Sequence, residues 1–266
     1  MKSRRIRLFP AVAAAIAVAS TASASIVSQW SFENGLSDTA AAGATADNLV
    51  DNAGGVTYVP GIVGQAVAIR DIVSGSNRLT ATTSADLNLG NSWTLELFVW
   101  PDSGNDPAAE WERVWTKWGE GGNEYHTAIR GNATAIVPDG IDMFVNGGNN
   151  IINHNSTATV ARLTWSHIAF VGDQGANTIT AWLNGTQVAS VPFVAIAATA
   201  GNMNFGNFGT GDQSGLQFSG YIDEALIHDS AVDQNYLLGR AALIPEPSVA
   251  GLMALVGLLV TRVRRR

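Results

Sequence analysis

From Trp165 to Val191 the chain reads WSHIAFVGDQGANTITAWLNGTQVASV, three apolar-rich runs of strand length separated by a Gly/Asp/Asn loop and then by Asn184-Gly185. Two consecutive residues that tolerate positive φ suit a type I′ turn, whose twist matches the strands it joins. Leu183 and Gln187 are therefore expected to begin paired antiparallel strands. In Trp93 to Trp100, WTLELFVW, the residues Trp93, Leu95, Leu97 and Val99 share one face, and Glu96, Phe98 and Trp100 share the other. Both faces are largely apolar, as in a central strand covered on both sides.

Shorter runs at 26–32, 56–59, 66–69, 78–82, 124–130, 141–145, 203–208 and 219–227 read as further strands, and 151–160 has weak β character. The stretch 34–55 is a polar surface excursion. Pro101 to Gly122 reads as an irregular acidic loop holding Trp111, Trp115 and Trp118. Ser230 and Asp233 resemble an N-cap and its third-position acid, so a short helix is expected over Ala231 to Leu238. More than ten short strands bounded by Gly and Asn predict an all-β fold, a two-sheet antiparallel jelly-roll sandwich.

Composition agrees and the two ends add direction. The 266 residues include 28 Gly, 8 Trp and no Cys, and only 14% are charged. A chain this long buries enough apolar surface without disulfides, so the missing Cys does not argue against an extracellular life. Met1 to Ala24 starts with Lys2, Arg4, Arg5 and Arg7, continues through an apolar run and closes on Ala22-Ser23-Ala24. That order is a secretory signal peptide, with cleavage expected after Ala24. At the far end Pro245-Glu246-Pro247 precedes the apolar run Ser248 to Val260 and four terminal arginines. A helix over that run is about 20 Å long, against roughly 30 Å of hydrocarbon, and spans a bilayer only by drawing in its flanks. The arginines place its end in the cytoplasm and the main domain outside. The expected organisation is a signal peptide at 1–24, one domain at 25–240 and a sorting or anchor segment at 241–266.

Of 15 basic and 22 acidic residues, the leader carries four basic ones and the tail four basic and one acidic, leaving 7 basic and 21 acidic and a net charge of −14 between them. Such a surface repels nucleic acid and anionic lipid.

The order Pro245-Glu246-Pro247, apolar helix, terminal arginine cluster resembles the PEP-CTERM sorting signal of Gram-negative exopolysaccharide-producing bacteria. The resemblance implies a membrane-embedded exosortase as processing partner, cutting near the Pro-Glu-Pro and releasing the protein to the surface or matrix. A permanent membrane anchor puts the domain on the same side. The segments WSFENGLSD (30–38), GIVGQAVAI (61–69), SWTLELFVWP (92–101), the WSHIAF-to-WLNG hairpin and FSGYIDEALIHDSAV (218–232) occur in the order seen in LamG-like jelly-roll domains. Those belong to the concanavalin A-like lectin/glucanase superfamily.

This second resemblance implies a structural calcium where an N-terminal loop meets the C-terminal strand, at positions matched here by Asp38 and Asp223. The same residues also suit a turn cap and a structural hydrogen-bond acceptor. A retaining glucanase needs two carboxylates about 5 to 5.5 Å apart. Glu110 and Glu112 are the nearby acids at strand spacing, but Val114 stands where the glucanase pattern has its third acid, and Pro107-Ala108-Ala109 favours a solvated loop. His126, His154, His167 and His228 are scattered singly, with His167 expected as a satisfied structural histidine. For sugar binding through aromatic faces the candidates are Trp111, Trp115, Trp118 and Tyr125; Trp111 is the one expected to be accessible, while Trp115 and Trp118 are expected to pack over the outer sheet. The chain therefore reads as an exported, non-enzymatic binding or scaffold module whose partner is an extracellular polysaccharide or a surface protein. An adhesion domain without a sugar ligand and a glycoside hydrolase are the alternatives.

Overall fold

The computed structural model describes residues 24–43, 45–52, 54–69, 78–102, 111–119, 121–131, 138–147, 149–152, 158–207 and 217–245. Most of the leader, the tail from Glu246 with Pro247, and Glu110 lie outside these residues. Two antiparallel sheets face one another as a jelly-roll sandwich. The first contains β1 (Ile26–Trp30), β3 (Thr57–Pro60), β4 (Gln65–Ile69), β6 (Ser92–Pro101), β11 (Ser166–Asp173), β12 (Thr178–Leu183), β13 (Thr186–Pro192) and β15 (Gly220–His228). Its order is β13-β12-β11-β6-β15-β4-β3, with β1 beside the second half of β15. The second contains β2 (Leu49–Asp51), β5 (Leu79–Ala81), β7 (Trp111–Gly119), β8 (Gly122–Arg130), β9 (Ile141–Val145), β10 (Asn149–Ile152) and β14 (Met203–Phe205), in the order β10-β9-β8-β7-β14-β5-β2.

The expected hairpin forms β12 and β13. Asn184 and Gly185 both have positive φ, 51° and 74°. The pair flanking the turn is Leu183 and Thr186, one position before the expected Gln187, which faces Trp182 across a register shift. The Asn184 carboxamide oxygen accepts from the His167 amide at 2.8 Å, tying the turn to β11. Of the hairpin aromatics, Phe170 is core, Trp182 packs under a helix and Trp165 is half-buried beside Tyr221.

Two expectations are corrected. The helix, α1, runs Gln234–Ala241, and its cap is Asp233, which accepts from the Tyr236 amide at 2.8 Å. Residues 230–232 stay outside it because the Thr94 hydroxyl donates to the Ser230 carbonyl and accepts from the Val232 amide. Trp111 to Gly119 is a strand rather than an irregular loop. Its alternation is hidden in the sequence by a β-bulge: Arg113 pairs with Ala128 and Trp115 with Thr127, leaving Val114 as the extra residue.

Between the sheets Trp30 and Trp115 meet edge-on with ring centroids 5.9 Å apart, and Phe205 packs on both. On β6 the alternation places Trp93, Leu95, Leu97 and Val99 in this core. The opposite face carries Glu96, fully buried beneath α1. Its carboxylate receives the His167 Nε2 contact at 2.7 Å, the His228 Nε2 contact at 2.9 Å and the Tyr236 hydroxyl at 2.6 Å. Burial opposes the charge, yet the hydrogen bonds from both histidines and the nearby Arg240 hold the Glu96 carboxyl well below its ordinary range. His167 is thus a buried structural histidine, as expected from its position, though it is bound through Nε2 only and its Nδ1 has no partner among the described residues. Glu96→Ala takes the shared carboxylate from two imidazoles and a phenol in a buried site, and is expected to cost about 3–5 kcal/mol, read as a lowered urea midpoint.

Candidate functional site

The second sheet also has a patterned outer face. Residues paired with the core members Tyr125, Ile129, Met143 and Val145 point inward. Those between them, His126, Ala128, Arg130, Asp142 and Phe144, point outward with Trp111 and Arg113. An aromatic row crosses this face. The His126 ring stacks on Phe144 at 4.3 Å and 17°, and meets Trp118 edge-on at 4.8 Å. Trp111 stands edge-on to Phe144 at 5.6 Å. Both tryptophans are partly exposed, at opposite ends of β7. Burial, with Arg113 nearby, pulls the His126 imidazole down to about 3, so the row is uncharged at neutral pH.

Polar groups border the row. Arg130 pairs with Asp142, both fully buried, with Nε to Oδ2 at 3.1 Å and a second contact through Nη2. Gln217, bridged to Arg113 through the backbone, is 6% exposed. Neither its carboxamide nor the buried Trp111 indole N–H has a hydrogen-bond partner among the described residues. An unpaired buried donor and an unpaired donor-acceptor amide beside aromatic rings suit a ligand that offers both hydroxyls and apolar C–H faces.

Trp111 is therefore partly accessible, as expected, but on a strand. Trp118 belongs to the outer row with it. Trp115 lies in the inter-sheet core instead, because the Val114 bulge reverses the strand's phase. Phe144, His126 and Gln217 escaped the sequence reading; the alternation of 125–129 and 141–145 carried the signal for the first two.

The remaining candidates are not brought together. Glu112 pairs across the sheet with Ile129, on the core-facing side, and binds Arg162 bidentately at 2.6 and 3.0 Å. It is a buried ion-pair partner, not the solvated loop acid expected. The Asp38 carboxylate accepts from the amides of Gln29, Ala40 and Asp47, which caps the turn after β1. Asp223 Oδ2 accepts from Ile62 and Val63. Gly61 leaves room for it, since a Cβ there would lie 2.4 Å from Oδ2. The two aspartates share no hydrogen-bond partner. Backbone N–H groups donate to three of their four oxygens. Among the described residues no group of three or more His, Cys, Asp or Glu is placed to hold a metal ion. Nor is any helix among them long and apolar enough to cross a membrane.

A family model described as concanavalin A-like lectin/glucanases superfamily matches residues 74–236. No curated protein matches the chain in sequence. Among solved structures, domain 4 of AbnA, a GH43 extracellular arabinanase from Geobacillus stearothermophilus in complex with arabinotriose, is similar with TM-score 0.62 at 16% identity, covering 82% of this chain and 98% of that one. The binding domain of Paraclostridial mosquitocidal protein 1 is similar with TM-score 0.61 at 14% identity, covering 82% and 52%. The ligand binding domain of botulinum neurotoxin serotype D in complex with N-acetylneuraminic acid has TM-score 0.59 at 10% identity, covering 82% and 50%. The chain thus spans about half of each toxin structure, and at these identities the likeness is one of fold.

Asp223, on β15 of the other sheet, has a measurable pH signature of its own. Burial raises its carboxyl to about 7, against the hydrogen bonds from the backbone of Val63, Ile62 and Glu224. An unfolded aspartate titrates near 3.9. The folded state therefore holds the proton more tightly, and this contribution to stability is full below about pH 4 and lost as pH rises through about 7. Asp223→Asn keeps an acceptor for the turn without the charge. Thermal melts from pH 4 to 8 are expected to show a shallower decline in the variant than in the native chain.

Proposed function

The chain belongs to the concanavalin A-like lectin/glucanases superfamily, and from that premise we propose that it is an exported, non-enzymatic module that binds extracellular polysaccharide on the outer face of its seven-stranded sheet. The observation that carries this reading is the aromatic row from Trp111 to Trp118, bordered by the unpartnered Trp111 indole N–H and Gln217 carboxamide. Sugars present both C–H faces for rings and hydroxyls for such groups. Two similar structures, the arabinanase domain and the serotype D toxin domain, carry sugars, which supports the ligand class. The commitment of Glu112 to Arg162 supports a binding role over hydrolysis.

Export and delivery to the cell surface or matrix rest on the leader ending at Ala24 and on the tail opening with Pro245-Glu246-Pro247. An exosortase-type enzyme is the processing partner in this reading, and the C-terminal helix holds the chain in the inner membrane before or instead of cleavage. A structural calcium at Asp38 and Asp223 is a separate proposal, and a melting temperature unchanged by chelation removes it.

A glycan array probed with the exported chain tests the proposal. A polysaccharide ligand is expected, with Trp111→Ala weakening it by about tenfold or more in Kd. Binding unchanged in Trp111→Ala removes the proposed face. Absence of any glycan ligand favours an adhesion role, and β-glucan turnover that disappears in Glu112→Gln overturns the non-enzymatic reading.

A further inference from the structure

The start of β1 is held in a way that the proposed export would change. The Ser25 backbone nitrogen donates to Asp229 Oδ1 at 2.9 Å, and the Asp229 amide donates back to the Ser25 carbonyl at 3.1 Å. This closed pair sits one residue outside the first rung of the ladder, Ile26 opposite His228. The strand paired with β1 is β15, and β1 carries Trp30, whose indole N–H donates to the Asp47 carbonyl at 2.8 Å and whose ring packs on Trp115. Anchoring its first residue therefore protects the edge of the core.

Cleavage after Ala24 makes that same nitrogen an α-ammonium. A neutral amide with one donor becomes a cation with three, already placed within hydrogen-bond distance of a carboxylate. The surroundings favour the change. Asp229 opens onto a cleft of about 410 Å³ whose lining includes Val27, Asp86, Asn88, Trp93 and His228, and among the described residues no Lys or Arg lines it. Asp86 and His228 are the other titratable groups there, Asp86 accepting from the Thr45 amide and His228 bound through Nε2 to Glu96.

We infer that the Ser25–Asp229 contact is a docking site for the mature N-terminus, where the α-ammonium released by signal cleavage forms an ion pair that locks β1 onto β15. Processing then strengthens the fold it has just exported. The inference rests on the export reading, because cleavage after Ala24 supplies the charge. Charge-assisted hydrogen bonds are stronger than neutral ones, though exposure of Asp229 keeps the gain modest.

The sequence makes the test clean. Its lysines are Lys2, in the leader, and Lys117, fully buried against Glu124. After cleavage the Ser25 amine is the one open to an acetylating reagent. The experiment takes the exported chain with its tail, in detergent, as native protein and as Asp229→Asn, with the N-terminus sequenced first. A terminus other than Ser25 overturns the cleavage position and the docking together. With Ser25 confirmed, the α-amino pKa by NMR titration is expected above its ordinary 7.7–8.0 by roughly 0.2–0.7 pH unit, returning to that range in Asp229→Asn. N-acetylation is expected to lower Tm in the native chain and to leave Asp229→Asn unchanged. An ordinary α-amino pKa in both chains, or equal loss of Tm on acetylation of both, overturns the docking while leaving export intact.

Discussion

The extra residue at Val114 sets the relation between the core and the outer face. In an unbroken strand Trp111 and Trp115, four positions apart, point the same way. The bulge reverses the phase between them, so Trp115 enters the core against Trp30 and Phe205 while Trp111 stays outside against Phe144. One strand thereby supplies both the largest side chain at the middle of the sandwich and the first ring of the aromatic row. Bulges are local irregularities that re-aim side chains, and here the re-aiming puts one tryptophan in the core and another on the outer face.

Buried charge holds the elements around that arrangement in place. Glu96 gathers β6, β11, β15 and α1 through His167, His228, Tyr236 and Arg240. Lys117 and Glu124, 2.5 Å apart, also reach Asn88 and Thr199, fastening two loops to the β7–β8 hairpin. Arg130 and Asp142 stiffen the outer face itself. Such pairs add little net stability against an apolar replacement, but losing one partner is costly. Their effect is to penalise every alternative placement of the strands. The outer face of the other sheet also carries aromatics, Trp100, Tyr221 and Trp165. There Trp100 and Tyr221 stack at 4.8 Å and 22°, each covering a face of the other, whereas the Trp111 row keeps a polar edge that has no partner among the described residues.

The two-sheet fold and the central hairpin were legible because alternation and the Asn184-Gly185 turn are local signals. The strand at Trp111–Gly119 was not, because the bulge breaks the alternation on which strand recognition depends. The helix start was misplaced for a similar reason: Ser230 satisfies a capping pattern, but Thr94, distant in sequence, holds residues 230–232 outside the helix. Trp111 was found as a large aromatic in a polar stretch. His126, Phe144 and Gln217 were not, since membership of one face follows from strand register rather than from any residue alone. Asp38 and Asp223 were correctly marked as structurally special, yet their partners are backbone amides, which leave no trace in residue type.

The central claim is that the outer face between Trp111 and Trp118 is where a polysaccharide binds. The most direct measurement follows the tryptophan indole N–H resonances during titration with an oligosaccharide bound by the exported chain. The Trp111 and Trp118 signals are expected to shift together at saturation while those of Trp30, Trp93 and Trp115 stay in place. Shifts confined to Trp100 and Trp165 would contradict it and move recognition to the opposite sheet.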